Sequence, residues 1–488
     1  MSLTTTIENT DTAQLEKILA SAAAAADILR GQDRATRAKY LNAVADGLDA
    51  AGDTLVPIAQ QETNLPEGRL RGELKRTTFQ LRLFAEVIQD GAYLDARIDH
   101  ADADWPMGAP RPDLRRTHIP LGPVAVFAAS NFPFAFSVAG GDTASALAGG
   151  NPVIVKAHSG HLELSRETAR VVTESLAAAG APEGTFGIVY GTASGSALVS
   201  DSRVQAVGFT GSIPGGRALF NIASQRPDPI PFYGELGSNN PVFVTQAADK
   251  ARGAEIAQEF VGSFTMGSGQ FCTKPGTIFV PEGSEFLAAL ENVELPDVGA
   301  LLNERIREGY IDSIKDLQAA NGVEKLLAGA EPYGEIPSPI LSLTTAEHIL
   351  KNPESLLEEC FGPAALVVEY DGEESLVELA KVFEGQLTAS LQAEEGDELA
   401  ALIDVLATKA GRVLWNQWPT GVSVTYAQQH GGPYPASTNS GSTSVGTAAI
   451  ARFQRPVAFQ GFPQQFLPDE LRDEPGAPVS QRLVNGRA

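Results

Sequence analysis

Apolar residues recur at helical spacing along the first third of the chain. Leu15, Ile18, Leu19, Ala22 and Ala26 form one stripe, and Tyr40, Leu41, Val44 and Leu48 form a second. Asp33 stands where the second helix needs an N-cap, and a further helix is expected from Glu67 towards Asp90. From Pro123 the rhythm changes to short apolar runs separated by helical patterns. Val124–Ala128, Val153–Lys156, Phe186–Tyr190, Val204–Phe209 and Val242–Thr245 read as strands, with helices at 138–148, 162–179, 192–201 and 213–224. This alternation predicts an α/β fold with an open, doubly wound parallel sheet buried on both faces. Ligands of such sheets bind at the carboxyl ends of the strands. A second α/β region is expected over 247–433, with strands at Thr277–Val280, Ala364–Glu369, Leu387–Gln392 and Arg412–Trp415. The tail from 456, rich in Pro, Gln, Phe and acidic residues, reads either as an interaction arm or as a frayed end.

With 488 residues the chain is too long for one hydrophobic core, so two or three domains are expected. A formal charge of −24 argues against sequence-independent binding to nucleic acid or to anionic membranes. It does not exclude an anionic substrate, because a local field can oppose the net charge. Cys272 and Cys360 are too few for a disulfide framework, which points to a reducing cytoplasm. Met1 to Gln14 is polar and acidic, with neither the basic nor the apolar region of a signal peptide. The uncharged run Ile119–Gly141 is long enough to span a bilayer. Pro120, Pro123 and Pro133 interrupt it, at roughly 3 kcal/mol per interior proline, so a buried strand followed by a loop is expected instead.

Candidate chemistry concentrates in a few segments. Cys272 lies in Gly267-Ser-Gly-Gln-Phe-Cys-Thr-Lys-Pro-Gly276. A lone cysteine is more often a small buried hydrophobe, but glycines are a poor way to pack a core. A glycine-bracketed loop after a helix instead gives access to substrate and to backbone N–H groups. Glu235, in Tyr-Gly-Glu-Leu-Gly-Ser-Asn-Asn-Pro241, reads as a residue of a polar turn between two strand-like runs, either a general base or a solvated carboxylate. Asn131, in Ala-Ala-Ser-Asn-Phe-Pro, is either a turn former or an amide aimed at an oxyanion. Phe209-Thr-Gly211-Ser212-Ile-Pro-Gly-Gly216 follows a strand and opens a helix, a place that suits a pyrophosphate. Its spacing is not the Gly-x-Gly-x-x-Gly fingerprint, so a purely structural turn is an equal reading.

Together these segments resemble the aldehyde dehydrogenase superfamily over about residues 12 to 460. Ser-Asn131-Phe-Pro, Val-Ile-Val-Lys156, Phe-Thr-Gly-Ser212, Glu235-Leu-Gly and Gly-Gln-Phe-Cys272 occur in the family's order, followed by Glu359-Cys-Phe-Gly-Pro363. The resemblance implies that Cys272 attacks the aldehyde as a thiolate. Asn131 and the Cys272 N–H would hold the oxyanion, each such donor being worth about 2.7–4 kcal/mol. Glu235 would activate the water that hydrolyses the thioester. It further implies Lys156, Gly211 and Ser212 at the adenosine ribose and pyrophosphate, Glu359 and Phe361 at the nicotinamide ribose, and no metal.

Ser159 stands three residues after Lys156, where NAD-preferring relatives often carry a glutamate; its lack of charge implies NADP preference, with NAD usable. Protonated His158 or His161 would add positive potential there. The segment Gln-His430-Gly-Gly-Pro-Tyr-Pro-Ala-Ser437 looks like a branch that oxidises 2-oxoglutarate semialdehyde (2,5-dioxopentanoate) or, with NADP, fatty aldehydes. His430 is either a proton-handling group at the active site or a residue that fixes a turn. Phe132, Phe136, Phe271 and Thr273 are expected to line the aldehyde tunnel, and no arginine stands out to hold a distal carboxylate. Cys360 replaces an aliphatic residue and either packs with Phe361 or pairs oxidatively with Cys272. Ser238 replaces a second glycine. A CoA-acylating enzyme is the rival, disfavoured because Glu235 would then have no water to activate. The expected organisation is a cofactor domain (1–96 and 123–246), a catalytic domain (247–433) and an oligomerisation arm (97–122 and 456–480) that builds a homodimer or homotetramer.

Overall fold

The computed structural model describes residues 7–487, so the start of the polar amino-terminal stretch, residues 1–6, lies outside the described residues. The two helical stripes become helices Thr12–Arg30 and Arg34–Ala50, and the third expected helix runs over Glu67–Asp90. Asp33 caps the second: its carboxylate accepts the Thr36 N–H at 2.7 Å.

Three sheets organise the molecule. The first has five parallel strands in the order Phe186–Val189, Val153–Lys156, Val124–Phe127, Ala206–Thr210 and Phe232–Glu235. Apolar residues bury both of its faces, one against the helices of residues 34–90 and the other against Leu15 and Leu19 of the first helix. The chain builds outward from the central strand Val124–Phe127 to one side and then returns to the other. That reversal opens a crevice at the carboxyl ends of Val124–Phe127 and Ala206–Thr210.

The second sheet has seven strands, in the order Glu324–Ala328, Ile340–Thr345, Ala364–Tyr370, Thr277–Pro281, Val242–Val244, Gln386–Gln392 and Ala410–Trp415. All pair in parallel except the first, which runs antiparallel to its neighbour. Here the structure corrects the reading of the sequence. Val242–Val244 does not belong to the first sheet; it pairs with residues around Ser390 and Ile278 in the second. The first sheet is completed by Phe232–Glu235, so Glu235 is the last residue of a strand and not part of a polar turn. That strand escapes a hydrophobicity pattern because it has four residues, one of them glycine and one a buried carboxylate.

The third sheet joins Gln454–Gln460, Leu114–Pro120, Ala96–Asp99 and Arg482–Val484. The carboxyl-terminal tail is therefore built into the fold, and its last strand lies beyond residue 480. Leu467 and Leu471 pack with Ala96 and Ile98 in a small core of their own. The uncharged run from Ile119 supplies the end of one strand, the buried strand Val124–Phe127 and a loop. No helix among the described residues is long and apolar enough to cross a membrane.

Candidate active site

Cys272 and Glu235 come from different sheets, and the intervening loops are fastened to each other by buried polar side chains. Beyond Glu235 the chain crosses to the second sheet through residues 236–241. The Gln386 side-chain carbonyl accepts the N–H groups of Asn239 (2.8 Å) and Asn240 (2.9 Å). Asn240, in the left-handed region at φ 57°, donates from Nδ2 to the carbonyls of Cys272 (2.8 Å) and Lys274 (2.9 Å). Gly276 returns its N–H to the Asn239 carbonyl at 2.7 Å. The base-bearing and thiol-bearing segments are thus one hydrogen-bonded unit. Ser238 takes part: its hydroxyl lies 2.8 Å from Asn240 Oδ1 and accepts the Leu387 N–H at 2.9 Å.

The thiol turn follows helix Gln246–Thr265. Gly267, Ser268 and Gly269 have φ of 58°, 58° and 67°, a left-handed run that reverses the chain. A Cβ on Gly269 would lie 2.0 Å from the Gly362 carbonyl oxygen, so only glycine fits there. Gln270 is fully buried and accepts the Leu302 N–H at 2.9 Å. Asn131, in the loop beyond Val124–Phe127, donates from Nδ2 to the Gln270 carbonyl at 3.1 Å. That bond sets the amide against the cysteine turn and leaves its second N–H for another acceptor.

Around the thiol the structure gathers three groups. Cys272 Sγ lies 3.6 Å from His430 Nε2, which lies 2.8 Å from Glu235 Oε1. The thiol sulfur, a ring nitrogen and a carboxylate oxygen of these three residues all fall within 4.8 Å of one another. The Ser444 hydroxyl donates to the other oxygen of Glu235. Glu235 and His430 are buried, and Cys272 is partly open. Burial opposes ionisation of Glu235, but His430, Ser444 and Cys272 together outweigh it and hold the carboxyl below its ordinary value. Burial, and then the charge and hydrogen bond of Glu235, push the Cys272 thiol well above its usual range. In the resting site the proton therefore stays on sulfur, with a carboxylate oxygen of Glu235 within 4.8 Å.

Phe132 packs edge-on against Phe271 (5.0 Å between centroids) and Phe136 (5.4 Å), and Phe136 lies 6.2 Å from the His430 ring. These three aromatic rings form a wall beside the thiol. Thr273 is buried, and its hydroxyl has no partner among the described residues.

At the crevice of the first sheet, Gly211 and Ser212 are exposed, and the Ser212 hydroxyl caps helix Ile213–Gln225 by accepting the Gly215 N–H at 3.4 Å. Lys156 ends a neighbouring strand and is half-buried, with burial lowering its proton affinity. Ser159 is exposed. An exposed helix terminus following a strand is the kind of place that can receive a pyrophosphate. The two histidines do not supply positive potential. Burial first, then the neighbouring cations, push His158 down to about 3. His161 is fully buried between the Ala129 carbonyl (2.9 Å) and the Ser165 hydroxyl (3.0 Å), and burial lowers it too.

Glu359 reaches the turn after Glu235: a Cβ on Gly237 would lie 2.5 Å from its Oε2. Burial pushes Glu359 up to about 7, against the pull of Lys274. Buried Lys274 donates to the carbonyls of Cys360 (2.7 Å) and Ala364 (2.6 Å), fastening the Glu359–Phe361 loop to the thiol turn. Phe361 is half-buried. Both cysteines are free, and Cys360 packs with the cluster of Leu301, Tyr310 and Ile314.

Asn240, Gln386, Lys274 and Ser444 are not recognisable from the sequence. Lys274 stands in view within the cysteine motif, but a lysine in a glycine-rich loop carries no sign of being buried. Ser444 sits in a run of small polar residues without any chemical signal.

The chain belongs to the aldehyde dehydrogenase family, whose model matches residues 2–454. It is 45% identical to the alpha-ketoglutaric semialdehyde dehydrogenase 2 of Azospirillum brasilense, covering 98% of this chain and 92% of that one. It is also 45% identical to the alpha-ketoglutaric semialdehyde dehydrogenase of Acinetobacter baylyi, over 92% of this chain and 86% of that protein. Among solved structures, 3,6-anhydro-L-galactose dehydrogenase in complex with NAP has the same fold, with TM-score 0.78 and 21% identity over 93% of each chain.

Proposed function

We propose that this enzyme oxidises 2-oxoglutarate semialdehyde to 2-oxoglutarate, with NADP preferred and NAD usable. The observation that carries the chemistry is an ionised Glu235 against the Cys272 thiol, braced by His430 and Ser444. The two relatives that are 45% identical over most of the chain support the substrate.

The thiol proton passes to Glu235 and on to solvent, and Sγ bonds to the aldehyde carbon. The free N–H of Asn131 and the Cys272 N–H receive the oxyanion of the thiohemiacetal. A bound nicotinamide dinucleotide, held by the residues named below, would supply the two-electron oxidant for that carbon. Glu235 then takes a proton from water, which adds to the resulting thioester; the C–S bond breaks, sulfur regains a proton and the acid leaves. His430 is a positioning residue in this account. Its Nε2–H orients Glu235 and favours the ionised form. Braced in this way, Glu235 supports release by water over release by CoA.

The exposed turn Gly211–Ser212, Lys156, and Glu359 with Phe361 would hold the dinucleotide. Ser159 supports NADP because it adds no negative charge beside Lys156. The first sheet with the helices of residues 12–90 would be the cofactor domain, and the second the catalytic domain. The third sheet would mediate self-association into a dimer or tetramer; exposed Met107, Phe462 and Phe466 near it support that role. We place the enzyme in the cytoplasm.

The test is a panel of kcat/KM values with both cofactors. The highest is expected for 2-oxoglutarate semialdehyde with NADP. The wall of Phe132, Phe136 and Phe271 favours a second reading, a medium- or long-chain aldehyde, and a higher kcat/KM for such an aldehyde would replace the first. A strong preference for NAD would overturn the cofactor assignment.

A further inference from the structure

The proposed substrate carries a carboxylate at the end remote from its aldehyde. Helix Glu67–Asp90 places Arg69, Glu73 and Arg76 on one face, at spacings of four and three. The Arg69 guanidinium lies 5.1 Å from the Phe132 ring centre and 4.8 Å from that of Phe271, and its Nη2 donates to the Asn131 carbonyl at 2.7 Å. The Arg76 guanidinium lies 5.4 Å from the centre of Phe136, the ring beside His430. Arg412, from strand Ala410–Trp415, donates to the carbonyls of Pro419 (2.8 Å) and Gly421 (3.1 Å). Arg76 reaches Val422 of the same loop at 3.4 Å.

Each of these arginines keeps a buried donor with no partner among the described residues: Nη1 of Arg69, Nη1 of Arg76 and Nε of Arg412. Three unmet guanidinium donors in one neighbourhood are costly unless something accepts from them. The nearby acid does not. Glu73 turns its Oε1 to the N–H groups of Phe134 (2.8 Å) and Ala135 (2.9 Å). Burial, set against those bonds and the charges of Arg69 and Arg76, still raises Glu73 towards its neutral form. Arg76 stands on the Phe136 ring beside His430, and Arg412 follows Gly411, where an added Cβ would lie 2.1 Å from the carbonyl oxygen of Gly431, the residue after His430.

We infer that Arg69, Arg76 and Arg412 form an anion subsite along the aromatic wall that receives the remote carboxylate of an acidic semialdehyde. A guanidinium is suited to the task because its planar N–H groups match a carboxylate. Arg69 also braces Asn131, so Arg76 is the residue whose removal reads out the subsite alone. The inference rests on the acidic-substrate reading above.

The experiment compares 5-oxopentanoate with pentanal, which have the same chain length and reactive group and differ in the carboxylate. Kinetics would be measured for the wild type, Arg76→Met, Arg412→Met and Arg76→Lys. The wild type is expected to favour 5-oxopentanoate. Arg76→Met should lower the ratio of the two kcat/KM values at least about tenfold, by weakening binding of the acidic aldehyde rather than by slowing its turnover, and Arg76→Lys should recover part of it. Pentanal turnover by the same preparation reports on folding. A wild-type preference that survives in both methionine variants overturns the subsite while leaving the acidic substrate standing. Equal kcat/KM for the two aldehydes in the wild type overturns both.

Discussion

The glycine-bearing turns at 209–216 and 267–276, which we propose serve the cofactor and the thiol, are built on opposite plans. The first is open: Gly211 and Ser212 face solvent, and the Ser212 hydroxyl caps the helix that follows. The second is closed: three successive left-handed residues, buried Gln270 and Lys274, and Asn240 bonded to the Cys272 and Lys274 carbonyls fix the thiol before substrate arrives. An exposed turn leaves room for a ligand to approach, whereas a nucleophile has to be held to within a fraction of an ångström of its productive position.

Asn240→Ala should break the contrast most severely. It removes two donors to the thiol turn and the acceptor shared by Ser238 and Thr388. We expect kcat to fall about 100-fold and stability to fall by about 3 kcal/mol, read from denaturant unfolding. Near-normal kcat would mean that the turn does not need this bracing. Alkylation of Cys272 by iodoacetamide sharpens the same point. Because burial and Glu235 raise the thiol, the rate should still be climbing with pH beyond the ordinary thiol value of about 8.5. Glu235→Gln removes the charge that helps to hold the proton, so its profile should shift to lower pH; an unshifted profile would contradict the contact. Ser212→Ala should have the smallest effect. Losing an exposed cap costs about 1 kcal/mol and should weaken cofactor binding while leaving the alkylation profile untouched. A change in that profile would show that the two turns are not independent.

Much of this architecture is legible in the sequence because it rests on local pattern. The stripes of Leu15–Ala26 and Tyr40–Leu48, the Asp33 cap and most buried strands follow from periodicity and capping chemistry, whereas Glu324–Ala328 and Ile340–Thr345 of the second sheet do not. The motif residues Cys272, Glu235 and His430 do meet in space. Phe232–Glu235 escapes such a reading because function puts a carboxylate and a glycine where a core strand would carry apolar residues. Val242–Val244 falls in a different sheet from the one expected because hydrophobic runs do not say which strands they pair with. Whether His158 and His161 are protonated cannot be read from a local segment; burial lowers the proton affinity of both. Asn240, Gln386 and Lys274 act through partners tens to more than a hundred residues away, which no local pattern encodes.

The central claim is that Cys272 forms a thioester that Glu235 releases with water. Rapid mixing of Glu235→Gln with 2-oxoglutarate semialdehyde and NADP, at a pH high enough for the thiol of the variant to ionise without its base, tests it most directly. The account predicts a burst of about one reduced cofactor per active site, followed by a stall, with an acyl adduct on Cys272 detected by mass spectrometry. Steady turnover at the wild-type rate without a burst, or a stalled enzyme bearing no acyl group on Cys272, would contradict it.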